Sequence, residues 1–149
     1  MPESGEGLTV VAGYDGSENA RAAAAYAVWL AKPDGKVYVV HAYEPPPDWL
    51  GYPFYKELTA EHHMRGKQML DKLSADGLLD GVRCERELLS AQPVDGLMSV
   101  ATTRDAHMIV VGSRGLGPLR GTLGSVSHGL LYRSDRPVLV LPSPTEPPA

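Results

Sequence analysis

The 149-residue sequence contains one cysteine, Cys84, and one phenylalanine. A lone cysteine excludes an intrachain disulfide and any multi-cysteine metal cage. No lysine follows Lys72. No apolar run approaches the roughly 18–20 residues that a membrane-spanning helix needs. The opening residues, Met1-Pro-Glu-Ser-Gly-Glu-Gly, are acidic and have no apolar secretory core behind them. A cytoplasmic location is therefore expected. Basic charge is also in deficit: 14 Lys and Arg against 18 Asp and Glu give a net charge of -4. That balance disfavours sequence-independent binding to nucleic acid, which depends on many cations neutralising phosphates. Neither a nucleic-acid nor a membrane partner is expected. The deficit is uneven, however. Between His107 and Pro144, four arginines (Arg114, Arg120, Arg133, Arg136) stand against one acid, Asp135, a local balance of +3. A small anion docking in the C-terminal third fits this better than a large polyanion.

What is present is ordinary for a globular chain: 43% hydrophobic and 21% charged residues, at the length of one domain. The run Leu8 to Gly13 predicts a buried strand that ends in the turn Tyr14-Asp15-Gly16-Ser17. Ser17 can cap a helix from Glu18 to Ala31, where Ala20, Ala24, Ala27 and Ala31 recur at helical spacing. Pro33-Asp34-Gly35 ends it. Val37 to Ala42 predicts a second strand without clean alternation, as when both sheet faces are covered. A proline- and aromatic-rich loop follows, then a helix from about Lys56 to Asp76 with one solvated face. Val82 to Leu89 reads as a strand, Pro93 to Arg104 as a helix with proline in its first turn, and Met108 to Val111 as a strand. After a glycine-rich segment, Ser125 to Ser134 predicts a helix. Pro137 is tolerable at the start of a last strand, Val138 to Leu141. Five strands alternating with four helices imply a single α/β domain, with a parallel sheet, right-handed crossovers and helices on both faces.

In such a sheet, ligands bind outside the carboxyl ends of the strands, where strand order reverses. Three segments there carry unusual residues: Gly13 to Ser17, His41-Ala42-Tyr43, and Gly112 to Gly117. Glycines at 112, 115, 117, 121 and 124 bracket a loop between strand and helix. Glycine lets backbone approach a phosphate closely. A helix opening at Ser125 would aim free N–H groups and its positive end at an anion. Ser125 and Ser127 would add hydroxyls, and Arg114 or Arg120 charge. A glycine-rich connection with no ligand is the competing reading. A Walker A loop is excluded by the missing lysine, and a dinucleotide fingerprint by Arg120 and by its place in the chain. Asp15 could hold a ribose hydroxyl or a phosphate-bound Mg2+, or simply close an Asp-Gly turn. His41 reads as a core histidine, His62 and His63 as solvated helix residues, and Cys84 as a small core side chain. Trp49, Tyr52, Phe54 and Tyr55 either cover the crevice or form a contact surface; both readings stay open.

Three segments together carry a family resemblance: VVAGYDGS near the start, VVHAY at the second strand, and VVGSRGLGPLRGTLGSVSHGLLYRSDRPVLVLP at the end. The chain resembles the universal stress protein (UspA-like) family over residues 8–142, with flexible ends at 1–7 and 143–149. The resemblance implies a doubly wound five-stranded parallel sheet of order 3-2-1-4-5, like that of the adenine nucleotide alpha hydrolases. It also implies a homodimer through the last strand, Val138, Leu139, Val140 and Leu141. In one branch of the family it implies ATP binding, marked by G-x2-G-x9-G-[ST]. Gly112, Gly115, Gly124 and Ser125 match that pattern, with eight rather than nine residues between Gly115 and Gly124. Carried over by position, Gly13, Tyr14, Asp15 and Ala42 would border ribose, adenine or metal. Val111, Gly112, Ser113, Arg114, Gly115, Gly117, Arg120, Gly124, Ser125, Val126 and Ser127 would meet ribose and phosphates. The implied function is an ATP-binding regulator of the stress response, with Mg2+ held by Asp15 and the phosphates. No catalytic residue is assignable, so any ATP hydrolysis would be slow. The alternative is a dimeric interaction module of the same family that binds no nucleotide.

Overall fold

A computed structural model describes residues 6–113, 123–142 and 146–148. The ends expected to be flexible fall largely outside these residues, as does most of the glycine-rich loop. Five strands, β1 (Thr9–Gly13), β2 (Lys36–Tyr43), β3 (Arg83–Ser90), β4 (Met108–Gly112) and β5 (Val138–Leu141), alternate with four helices. The helices are α1 (Glu18–Ala31), α2 (Phe54–Ala75), α3 (Pro93–Thr103) and α4 (Ser125–Arg133). A single 3-10 turn at Asp48–Leu50 interrupts the loop before α2. Every strand pairing is parallel, in the order β3-β2-β1-β4-β5.

The two-residue side-chain period of a strand sorts the core into two layers. Val10, Ala12, Val37, Val39 and Val110 point to one face, against the alanines of α1 and Leu70 and Leu73 of α2. Val11, Tyr38, Val40, Ile109 and Val111 point to the other, against Leu97 and Val100 of α3 and Leu130 of α4. Both faces of β1, β2 and β4 are thus covered, which is why their sequences are continuous apolar runs. The alanine ridge of α1 lets it lie unusually near the sheet: Ala23, Ala24 and Ala27 are fully buried. Its start is fixed by Ser17, whose Oγ accepts from the Ala20 N–H at 3.1 Å. Such a cap typically contributes about 1 kcal/mol.

The two sheet edges differ. β3 carries exposed Arg83, Glu85 and Arg86, and charge of this kind blunts unwanted strand pairing. β5 is short and wholly apolar, with Val138, Leu139 and Val140 only half-buried. Cys84 on β3 is half-buried as well, and burial pushes its thiol up to about 11. The thiol is therefore protonated at neutral pH and a poor nucleophile. Among the described residues, no helix is long and apolar enough to cross a membrane.

Candidate functional site

β1 and β4 are parallel neighbours, yet the chain leaves β1 for α1 on one face and β4 for α4 on the other. Their carboxyl ends therefore border the crevice where strand order reverses. On the β1 side, the Tyr14 N–H donates to the Val40 carbonyl at 2.9 Å. Asp15 Oδ1 accepts from the Ser17 N–H at 2.9 Å, an Asx turn that Gly16 completes with φ at +86°. His41 Nδ1 lies 2.8 Å from the Tyr14 carbonyl. A carbonyl only accepts, so Nδ1 carries the proton and donates. His41 thus buttresses the β1–α1 turn, a role that its sequence position gave no sign of. Burial holds the Tyr14 hydroxyl above its ordinary pKa, opposed by the nearby Arg21 guanidinium.

β2 runs past the end of β1: Gly13 lies opposite Val40, leaving His41, Ala42 and Tyr43 above it. A Cβ placed on Gly96 of α3 would sit 3.1 Å from the Ala42 Cβ, so Ala42 stands on the α3 side as one wall of the crevice. Gly13 forms the floor between Val111 and Leu97, which would lie 3.0 and 3.1 Å from an added Cβ.

On the β4 side, Gly112 has a packing duty. A Cβ there would lie 2.7 Å from the Asn19 Cβ and 3.0 Å from the Asn19 carbonyl carbon. Buried Asn19 brings the first turn of α1 directly onto the strand end, which only glycine accommodates. Ser113 then acts as a clasp. Its N–H donates to the Leu141 carbonyl (2.8 Å) and its Oγ to the Pro142 carbonyl (2.9 Å). Its own carbonyl accepts from the Gly124 N–H. Ser127 Oγ, fully buried, lies 3.0 Å from both the Ser113 and Gly124 carbonyls. The hydroxyls of Ser113 and Ser127 are therefore engaged by backbone rather than directed at the crevice. Ser125 is exposed and Val126 half-buried. Arg114, Gly115, Gly117 and Arg120 lie outside the described residues.

The α4 N-terminus is electrostatically distinct. α1, α2 and α3 carry Glu18, Glu57 and Asp95 in their first turns. α4 has no acid there and no side-chain cap on Gly124. Among the described residues nothing compensates its positive end or its free N–H groups, the arrangement that receives an anion. Among the described residues, no group of three or more His, Cys, Asp or Glu could cage a metal ion. Asp15 is left as the carboxylate at the crevice.

A model of the universal stress protein family matches residues 8–142. The chain belongs to this family. A universal stress protein of Thermus aquaticus is 38% identical over 137 residues, covering 89% of this chain and 97% of the relative. The solved structure of hypothetical protein MJ0577 superposes with a TM-score of 0.78 at 21% identity, over 90% of this chain and 94% of that one. At that identity the likeness speaks for the fold alone. A universal stress protein solved in complex with cAMP is 28% identical, with a TM-score of 0.64 over 91% of this chain and 97% of its own. The sheet order expected for a universal stress protein is the order observed.

Proposed function

We propose that this universal stress protein binds ATP in the crevice between β1 and β4 and acts as a nucleotide-responsive cytoplasmic regulator. The observation that carries the reading is the uncompensated N-terminus of α4 at the point where strand order reverses. The relative solved with cAMP supports an adenine nucleotide as the anion. In this reading Gly124, Ser125 and Val126 present backbone N–H groups to the phosphates. Ala42, Gly13 and Tyr14 border the base and sugar, and Asp15 completes a phosphate-bound Mg2+ through the oxygen its turn leaves over. One carboxylate plus phosphates and waters suits Mg2+, which gives up its waters reluctantly. Hydrolysis would be slow, because no paired nucleophile and base is present among the described crevice residues. Nucleotide would then shift the protein between two conformations with different partner affinities.

Purified protein should release adenine nucleotide on denaturation, and stripped protein should bind ATP by calorimetry. Absence of both would leave the second reading, a dimeric module without nucleotide. Two observations favour that rival: Gly112 is explained by Asn19 alone, and the Ser127 hydroxyl is already engaged. In either case the half-buried apolar edge strand β5 is suited to pair with a second copy. Sedimentation equilibrium at micromolar concentration should give the mass of two chains; a monomer at that concentration would count against the β5 interface.

A further inference from the structure

A second recess lies on the opposite side of the end of β2. Where Ala42 turns toward α3, His41 and Tyr43 turn toward α2. His41 lies against Gly66, and the Tyr43 ring meets His62 and His63 edge-on at 5.9 and 6.3 Å. The Tyr43 hydroxyl also reaches His63 Nδ1 at 3.3 Å. Held in this way, Tyr43 forms one wall of an open groove of about 690 Å³, shared with Tyr52, Tyr55, Met64, Lys56 and Lys67. That volume falls within the range of small-molecule sites. The groove runs along the N-terminal half of α2, whose buried contacts are Gly66, Leu70 and Leu73 further on.

Its chemistry is one-sided. The surfaces are aromatic rings and a thioether, with Tyr52 73% and Met64 62% exposed. Lys56 and Lys67 stand eleven residues apart on the helix, about 16 Å along its axis, so they flank the groove lengthwise. Among the described residues neither lysine pairs with a carboxylate. Among the described residues no acid lines the groove, although the whole chain carries -4; Asp71, Glu85 and Glu87 line a neighbouring recess that Lys67 also borders. Apolar walls with free cations at the rim and no acid complement a flat apolar body bearing an acidic group. We infer that this groove is a second small-molecule site, for a planar aromatic acid. It is separate from the β1–β4 crevice because it opens on the α2 face of the sheet, and it stands whether or not ATP binds.

The test is a fluorescence titration of the full chain with 8-anilinonaphthalene-1-sulfonate and its uncharged counterpart N-phenyl-1-naphthylamine. The sulfonate should bind once per chain and at least about tenfold tighter than the neutral probe. The K56Q/K67Q double variant should bring the two affinities together. Both lysines are exposed, so the fold should survive, and circular dichroism checks that. Ala60→Trp, on the exposed helix surface lining the groove, should block both probes. Saturating ATP should change nothing. Equal affinities in the unmodified protein, indifference to Ala60→Trp, or displacement by ATP would each overturn the assignment. So would probe binding that fades as the protein self-associates, since the groove would then belong to a second copy.

Discussion

Ser125→Asp should make the nucleotide-free protein more stable and its ATP binding at least about tenfold weaker. The two effects share one cause. A carboxylate in the first turn of α4 would compensate a helix end that has neither acid nor side-chain cap. That interaction is worth roughly 0.3–1 kcal/mol, a rise of about 1–4 °C in melting temperature for a chain this size. The same charge would repel a triphosphate from the N–H groups proposed to receive it. Ser125 is exposed, so no core packing confuses the result. Thermal melts of stripped protein and calorimetry with ATP read the two halves separately. ATP affinity unchanged alongside a raised melting temperature would locate the phosphates elsewhere. Gly124→Val is the companion variant. Gly124 sits at φ -68° and ψ 165°, a conformation open to any residue, so valine should leave the fold largely intact while obstructing close approach to the helix end.

Gly112→Ala should destabilise the protein by about 2–3 kcal/mol, near the upper end of what overpacking costs. The added methyl would meet the Asn19 Cβ at 2.7 Å and Asn19 backbone at 3.0 Å. Backbone cannot rotate aside as a side chain can, so α1 would have to lift from the end of β4. Urea denaturation of nucleotide-free protein measures the loss, and an unchanged midpoint would mean that α1 does not rest on β4 as described. A full loss without nucleotide would also settle how Gly112 should be weighed. A glycine at a strand end can serve a ligand or a neighbouring helix, and here the helix suffices.

That double use marks where reading the sequence stops. The bounds of α1, Glu18 to Ala31, were legible because a capping serine, an alanine ladder and a Pro-Asp-Gly stop agree with one another. β1, β2 and β4 were legible as covered strands because they are continuously apolar. α2 starts two residues earlier than expected, at Phe54, because a turn at Tyr52-Pro53 leads into it, with the Tyr55 N–H donating to the Gly51 carbonyl. His62 was expected to be solvated, yet its ring is half-buried against Tyr43 and its Nδ1 is buried with no hydrogen-bond partner among the described residues. For the aromatic residues after Pro47 the sequence allows two roles. Tyr52 and Tyr55 line the α2 groove, a contact that depends on Tyr43 arriving from another strand. At the crevice, the glycines and a helix opening at Ser125 were visible in sequence. The Ser113 clasp was not, since its partners Pro142 and Leu141 are close to thirty residues away and carry no side-chain signal of their own.

The same clasp bears on the one departure from the ATP-binding pattern. Because the Gly124 N–H and the Ser127 hydroxyl both return to Ser113, the described residues on either side of 114–122 are held together at one base. The entropy of joining two ends held together depends only logarithmically on the number of residues between them. One residue fewer changes that entropy by about 0.1 kcal/mol, far below thermal energy. Loop length at this position is therefore nearly free to drift, while the orientation of the α4 N-terminus at its foot stays fixed.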